Sequence, residues 1–143
     1  QSIAFNQELI PATAQARLVL SNSPLIQYAN NLEYLVQYPY GCVEQVTSSV
    51  FPQLYVQELM RVISPNKQNV NLLDAQIRTN IQEGILRLES MQNYSGGLSY
   101  WQGGYETSWF GTAYAAHFLL EAKKAGYMIN QAIFDQMLSY LRN

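Results

Sequence analysis

From residue 21 onward the apolar positions of this chain recur at three- and four-residue steps, and no helix-length segment alternates at period two. That spacing predicts helices. Ser23-Pro24 reads as an N-cap followed by proline at the first helical position, and Leu25, Tyr28, Leu32 and Leu35 then share one stripe. Pro39 ends the segment, because proline pushes the residue before it out of the helical region. A second helix is expected to begin at or near Cys42, with Val46, Val50, Leu54 and either Tyr55 or Glu58 along one side. Pro52 falls inside it and should kink or divide it, since its nitrogen has no hydrogen to donate. Ser64-Pro65-Asn66 reads as a loop. A third helix is expected over about Val70 to Met91, with Leu73, Ile77, Ile81, Ile85, Leu88 and Met91 facing inward. After a turn cluster at Asn93–Gly97, a fourth should run from about Thr107 to Ala125, closed by Gly126 with Lys123 and Lys124 in its last turn. Asn130 caps a fifth, carrying Ile133, Phe134, Met137, Leu138 and Leu141. Residues 1–20 differ. Pro11 argues against a helix, and Ala16–Leu20 mixes alternation with branched residues, so a short extended arm or strand is expected. The expected class is all-α, with that arm over 1–20 and one helical unit over 21–143.

Composition adds a constraint. Apolar residues make up 48% of the 143 and charged ones only 13%, against about a quarter in a typical soluble domain. The shortage implies surfaces covered by other parts of a larger protein. A formal charge of −2 supplies no basic field, so nucleic-acid binding has no electrostatic support. No apolar run approaches the roughly 20 residues of a membrane helix. Gln1-Ser2-Ile3-Ala4 lacks the charged start and apolar core of a signal peptide. The chain reads as a piece of a longer one, whose targeting signal would lie outside it. Paired carboxylates and metal-ligand clusters are missing, and neither Gly96-Gly97 nor Gly103-Gly104 fits a nucleotide-binding loop. No cofactor is expected.

The reactive chemistry is concentrated in Tyr38-Pro39-Tyr40-Gly41-Cys42-Val43-Glu44-Gln45. Cys42 is the only cysteine, so it has no disulfide partner within the chain. Gln45 lies three residues on, and positions i and i+3 of a helix share a face. A thiolate held against a primary amide can displace ammonia and leave an intramolecular thioester. Free N–H groups and the positive dipole end at a helix start favour a thiolate, and could stabilise an oxyanion during acyl transfer. A free buried cysteine is also simply a small hydrophobe, and a C-x-x-Q spacing alone does not choose between the two.

The wider context is more specific. YPYGCVEQ resembles the PxGCxEQ thioester motif of the α2-macroglobulin and complement superfamily, most closely its bacterial α2-macroglobulins. Ala16–Ser21 and Tyr34–Gln37 look like the usual entry to that domain. Gly96-Gly97-Leu98-Ser99-Tyr100-Trp101 and Trp109-Phe110-Gly111-Thr112-Ala113-Tyr114 are similar to its GGFGYW and W-x-TAY stretches. Gln92, Gly96 and Trp101 look like the QxxxG…W punctuation of α/α toroids, which include terpenoid cyclases and thioester domains. The resemblance implies about half of an α/α toroid of helical hairpins. It implies a fragment of a protease inhibitor, working as a single-turnover covalent trap and not as an enzyme. Gln45 would be the acyl donor and Cys42 the thiolate leaving group, with an attacking protease or other amine-bearing protein as target. The remaining macroglobulin domains would be partners, and the site extracytoplasmic, in the periplasm, at the cell surface or secreted. Half a ring exposes the site to water, so in isolation the thioester is expected to be absent.

The neighbouring residues are weighed in the same way. Glu44 matches the motif's acidic position, and a solvated first-turn carboxylate is the preferred reading. Val43 replaces the glycine of the animal motif GCGEQ. Tyr38 and Tyr40 are candidates for shielding, by proximity. Tyr100, Trp101, Tyr105, Trp109 and Tyr114 are read as packing. His117, the only histidine, is read as an ordinary helix residue and not as one that redirects the acyl group to hydroxyls, so lysine amines are the expected targets. Two alternatives stay open. One is an interaction module on the same toroid with no thioester. The other is a terpenoid-cyclase-like enzyme, for which isolated Asp74 and Asp135 supply no metal-diphosphate motif.

Overall fold

A computed structural model describes residues 33–63 and 70–143. Within them the chain forms five α-helices: α1 (Val43–Val50), α2 (Gln53–Ile63), α3 (Val70–Ser90), α4 (Trp109–Lys124) and α5 (Gln131–Arg142). No strand occurs among the described residues, only the isolated bridges Gln92 to Leu98 and Ser99 to Thr107. The expected arm over 1–20, most of the first predicted helix and the Ser64-Pro65-Asn66 loop lie outside the described residues. The end of that first helix differs from expectation. Glu33–Leu35 form a single 3₁₀ turn, and Leu35 is 40% exposed where the stripe placed it inside. Val36 packs on the core instead.

The shortest helix is at the centre. α1 contacts α2, α3 and α4, while α2 packs on α3 and α5 on α4. Val43, Val46, Thr47 and Val50 of α1 are all fully buried. Four β-branched residues in eight make a poor autonomous helix, and one this short does not stand alone in water. Packing holds it, and two glycines allow the packing. A Cβ on Gly84 of α3 would lie 2.6 Å from Val50 Cγ1, and one on Gly111 of α4 would lie 2.6 Å from Val43 Cγ1. Each end of α1 is therefore seated against a helix backbone.

The punctuation follows the sequence closely. Phe51-Pro52 divides α1 from α2, and the Phe51 N–H donates to Thr47 O at 2.9 Å as the last bond of α1. The inward face of α3 is Ile77, Ile81, Ile85 and Leu88, followed by Met91; Leu73 is only partly buried. α4 begins two residues later than expected because Ser108 is its N-cap, its Oγ accepting the Gly111 N–H at 3.0 Å. It closes in a Schellman arrangement. Gly126 N–H donates to Lys123 O and Tyr127 N–H to Ala122 O, each at 3.0 Å. Asn130 Oδ1 caps α5 through Ala132 and Ile133 N–H.

Candidate functional site

Three donors fix the approach to α1. The Gln37 carbonyl accepts from Gln53 Nε2 at 2.8 Å, Asn80 Nδ2 at 3.1 Å and Ser49 Oγ at 3.3 Å. Gln53 and Asn80 are fully buried and satisfy each other, Asn80 Nδ2 donating to Gln53 Oε1 at 3.1 Å. Gln76 Nε2 donates to Asn80 Oδ1 at 2.8 Å. A buried amide network with its partners in place rigidifies what it holds. Here it holds the residue just before Tyr38. From there the chain turns tightly around buried Pro39, with Tyr40 N–H donating to Tyr38 O at 2.9 Å.

Gly41 then takes φ +111°, a region that favours glycine. Cys42 follows as the N-cap of α1, in extended conformation at φ −75° and ψ 174°. Gln45, at the N3 position, folds back over the turn, and its Oε1 accepts the Cys42 backbone N–H at 3.1 Å. This is the well-formed arm of a capping box joining the two residues. The fold-back requires a glycine at 41, because a Cβ there would lie 2.8 Å from Gln45 Cβ and 2.9 Å from its Cδ.

The glycine-rich loop before α4 completes the support. Tyr100 O accepts the Val43 N–H at 3.0 Å, satisfying a first-turn donor that the helix itself cannot. Buried Thr112 ties loop to helix. Its Oγ1 accepts Leu98 N–H at 2.8 Å and donates to Ser108 O at 2.7 Å. Gln92 Nε2 bridges Gly96 O and Ile133 O, both at 2.9 Å, linking the end of α3 to α5. The two downstream stretches singled out in the sequence are thus bonded to each other and, through Tyr100, to the motif.

Cys42 is half-buried and Gln45 exposed. Gln45 opens onto a depression lined by Gln37, Tyr38, Tyr40, Gly41, Ser48 and Ser49. The structure brings both tyrosines to the site. Their rings are 4.5 Å apart, and both meet the guanidinium of Arg87 from α3, whose Nη2 donates to the Tyr38 hydroxyl at 3.3 Å. That hydrogen bond, ahead of the fields of Tyr38 and Glu83, holds the guanidinium above its ordinary pKa, against a smaller desolvation effect. Glu44 sits half-buried in the first turn of α1.

His117 does not join the site. It is exposed on α4 and packs edge-on to Phe51 at 4.9 Å, nine residues past Cys42, about 13 Å along a helix axis. Tyr114 does pack, in a row with Phe110 and Phe51 at 6.1 and 6.0 Å. Tyr100, Trp101, Tyr105 and Trp109, read from sequence as packing, are instead exposed. In that loop Gly96, Gly97, Leu98 and Ser99 take the buried positions, which leaves the rings outside. Among the described residues no three His, Cys, Asp or Glu side chains gather where they could hold a metal ion, and no helix is long and apolar enough to cross a membrane.

Gln53, Asn80 and Arg87 were not found by motif. For the first two a signal existed. Each is a polar residue on an apolar stripe, Gln53 between Val50 and Val56 and Asn80 between Ile77 and Ile81, and buried polar groups require partners. For Arg87 there was none.

Comparison with known proteins identifies the family and the fold. The family model described as the A-macroglobulin TED domain matches residues 14–143. The chain is 33% identical over 141 residues to the alpha-2-macroglobulin of Escherichia coli K12, and 33% identical over 138 residues to that of Xylella fastidiosa Temecula1. Each alignment covers 96% of this chain but only 8% of the relative. A crystal structure of native alpha-2-macroglobulin from Escherichia coli, spanning domain MG7 to the C-terminus, superposes with a TM-score of 0.62 at 29% identity, over 82% of this chain and 17% of that one. The helices described above are part of an α/α toroid.

Proposed function

We propose, for a chain that belongs to the A-macroglobulin TED domain family, that Cys42 and Gln45 form an internal thioester by which the parent protein covalently captures attacking proteases. The observation that carries this reading is the Gln45 side chain folded back onto Cys42, with its Oε1 accepting the Cys42 backbone N–H at 3.1 Å.

The chemistry follows from that contact. The Cys42 thiolate attacks Gln45 Cδ, and negative charge develops on Oε1. A donor is already on that oxygen, at a distance suited to an oxyanion. Collapse breaks the C–N bond, and ammonia leaves with the proton the thiol gave up. In capture, a lysine amine of the target attacks the same Cδ. The C–S bond breaks, an amide joins Gln45 to the target, and Cys42 regains its proton as a thiol. Each molecule reacts once, so the protein is a trap and not a catalyst. The position of His117, away from α1's N-terminus, supports direct aminolysis and amide products. The resting thioester would be an internal modification and needs no cofactor. The compartment that fits this role is the periplasm, the cell surface or the exterior.

The test is the intact mass of the full-length parent before and after methylamine. An armed protein is lighter by one ammonia, then gains one methylamine at Gln45 and releases one titratable thiol at Cys42. An unchanged mass with a freely titrating thiol throughout would refute the thioester and favour an interaction module on the same toroid.

A further inference from the structure

Resting on the thioester reading, we propose that Arg87 is a positioning residue that seats Tyr38 and Tyr40 beside Gln45 and so sets how fast an amine reaches the acyl group. The guanidinium carbon lies 5.2 Å from the Tyr38 ring centroid and 5.5 Å from that of Tyr40. Both distances are within the range in which a cation is attracted to a ring face. The two rings are also 4.5 Å apart and tilted by 47°, close enough to attract each other. A single cation on α3 therefore gathers both aromatic residues of the YPY segment into one cluster.

Polar contacts fix the orientation. Arg87 Nη2 donates to the Tyr38 hydroxyl at 3.3 Å, and that hydroxyl donates to Glu83 Oε2 at 3.5 Å. Glu83 lies four residues before Arg87 on α3, so both are presented on one face of a helix otherwise anchored in the core. The rings need such a seat. Tyr40 is 71% exposed and Tyr38 is 36% exposed, so core packing alone does not hold them. They nevertheless form one wall of the depression that contains Gly41 and Gln45. Without the cation the rings are free to take other rotamers, and that wall opens to nucleophiles and water.

The experiment is single-turnover methylamine reaction of the armed full-length parent, with thiol release at Cys42 giving the rate and intact mass giving the armed fraction. Arg87→Met keeps the aliphatic stem and removes the cation. It should leave the ammonia loss intact and raise the rate constant by about fivefold, the equivalent of roughly 1 kcal/mol for a partly exposed cation–π pair. Arg87→Lys should restore part of the wild-type rate. Tyr38→Phe keeps the ring and loses the hydroxyl that orients it, so a rise of about twofold is expected even if Arg87→Met fails to arm. A structural role for Arg87 would lower the armed fraction without changing the rate per armed molecule. An armed Arg87→Met protein reacting at the wild-type rate would overturn this proposal alone. A wild-type protein with no ammonia loss would overturn the thioester and this proposal with it.

Discussion

Replacing Gly41 with alanine places two separate loads on the site, and each can be sized from the structure. The first is on the backbone. Gly41 sits at φ +111°, where a Cβ crowds the backbone at a cost of about 1–2 kcal/mol. The second is on Gln45. The new methyl would overlap Gln45 Oε1, its nearest neighbour, and lie 2.9 Å from Cδ, which must retreat by at least about half an ångström to reach ordinary contact at 3.4 Å. The Gln45 Cβ, at 2.8 Å, belongs to α1 and cannot swing aside as the amide can. If a misplacement of 1 Å costs about 10²-fold in a positioned reaction, half an ångström costs roughly tenfold.

Gly41→Ala in the full-length parent should therefore fold but arm about ten times more slowly. The assay is the appearance of the species lighter by one ammonia, followed by mass spectrometry after synthesis or refolding. Urea unfolding gives the stability loss in parallel. Strain alone predicts lost stability with an unchanged arming rate, whereas the steric clash predicts that both fall. Arming at the wild-type rate, with the variant folded, would show that the fold-back of Gln45 over Gly41 is not the geometry from which the thioester forms.

Three further outcomes are expected. Asn80→Leu removes the donor to Gln37 O and leaves buried Gln53 Oε1 without its partner, so urea unfolding should show a loss of about 1–3 kcal/mol; a neutral result would mean the amide network is not tightly held. Gly111→Ala should gain about 1 kcal/mol in helix propensity. However, its methyl would lie 2.6 Å from Val43 Cγ1 and 3.0 Å from Ser108 Oγ, and overpacking of this kind costs about 1–3 kcal/mol. A net loss is expected, recovered in part by Val43→Ala, and a stabilised variant would show that α1 and α4 are less closely seated. Burial raises the Tyr127 phenol above its ordinary 10.0, against a smaller opposing effect of Arg78. The folded state thus favours the neutral form. That stability is fully present below pH 10.0 and lost as pH rises through the folded value, so Tyr127→Phe should flatten the alkaline limb of a stability–pH curve; an unchanged limb would count against it.

The helices were legible because their signals are local. The Ile77, Ile81, Ile85, Leu88 stripe, the Asn130 cap and the Pro52 break each depend on residues within about three turns of one another. Gly126 and the Asn130 cap mark where α4 ends and α5 starts, to within a residue or two, while the start of α4 fell two residues early because the Ser108 cap was not read. The site was legible only in part. Spacing puts Cys42 and Gln45 on one helix face, but it does not show that Gln45 folds backwards across Gly41. That depends on φ at position 41 and on a hydrogen bond to the backbone. Arg87 was invisible because its partners are 49 and 47 residues away in sequence, and a single arginine on a polar helix face carries no pattern. The exposed Tyr100, Trp101 and Tyr105 were misread for a related reason. In a loop without a period, composition does not say which residues face inward.

These long-range supports bear on how the thioester would form. α1 has eight residues, too few to persist alone. Its start is shaped by Gly41, its first free N–H is taken by Tyr100 O, and its ends are seated on Gly84 and Gly111. The Cys42–Gln45 geometry is thus not a local property of the motif. It exists only when α3, α4 and the loop between them are in place. An unfolded chain holds the same two residues three apart, but without the donor on Gln45 Oε1 and without the turn that brings its amide back. Formation of the bond should therefore follow folding and not precede it. Substitutions in α3 or α4 that never touch the motif should lower the armed fraction in proportion to the folded population, a coupling that the sequence of the motif alone would not predict.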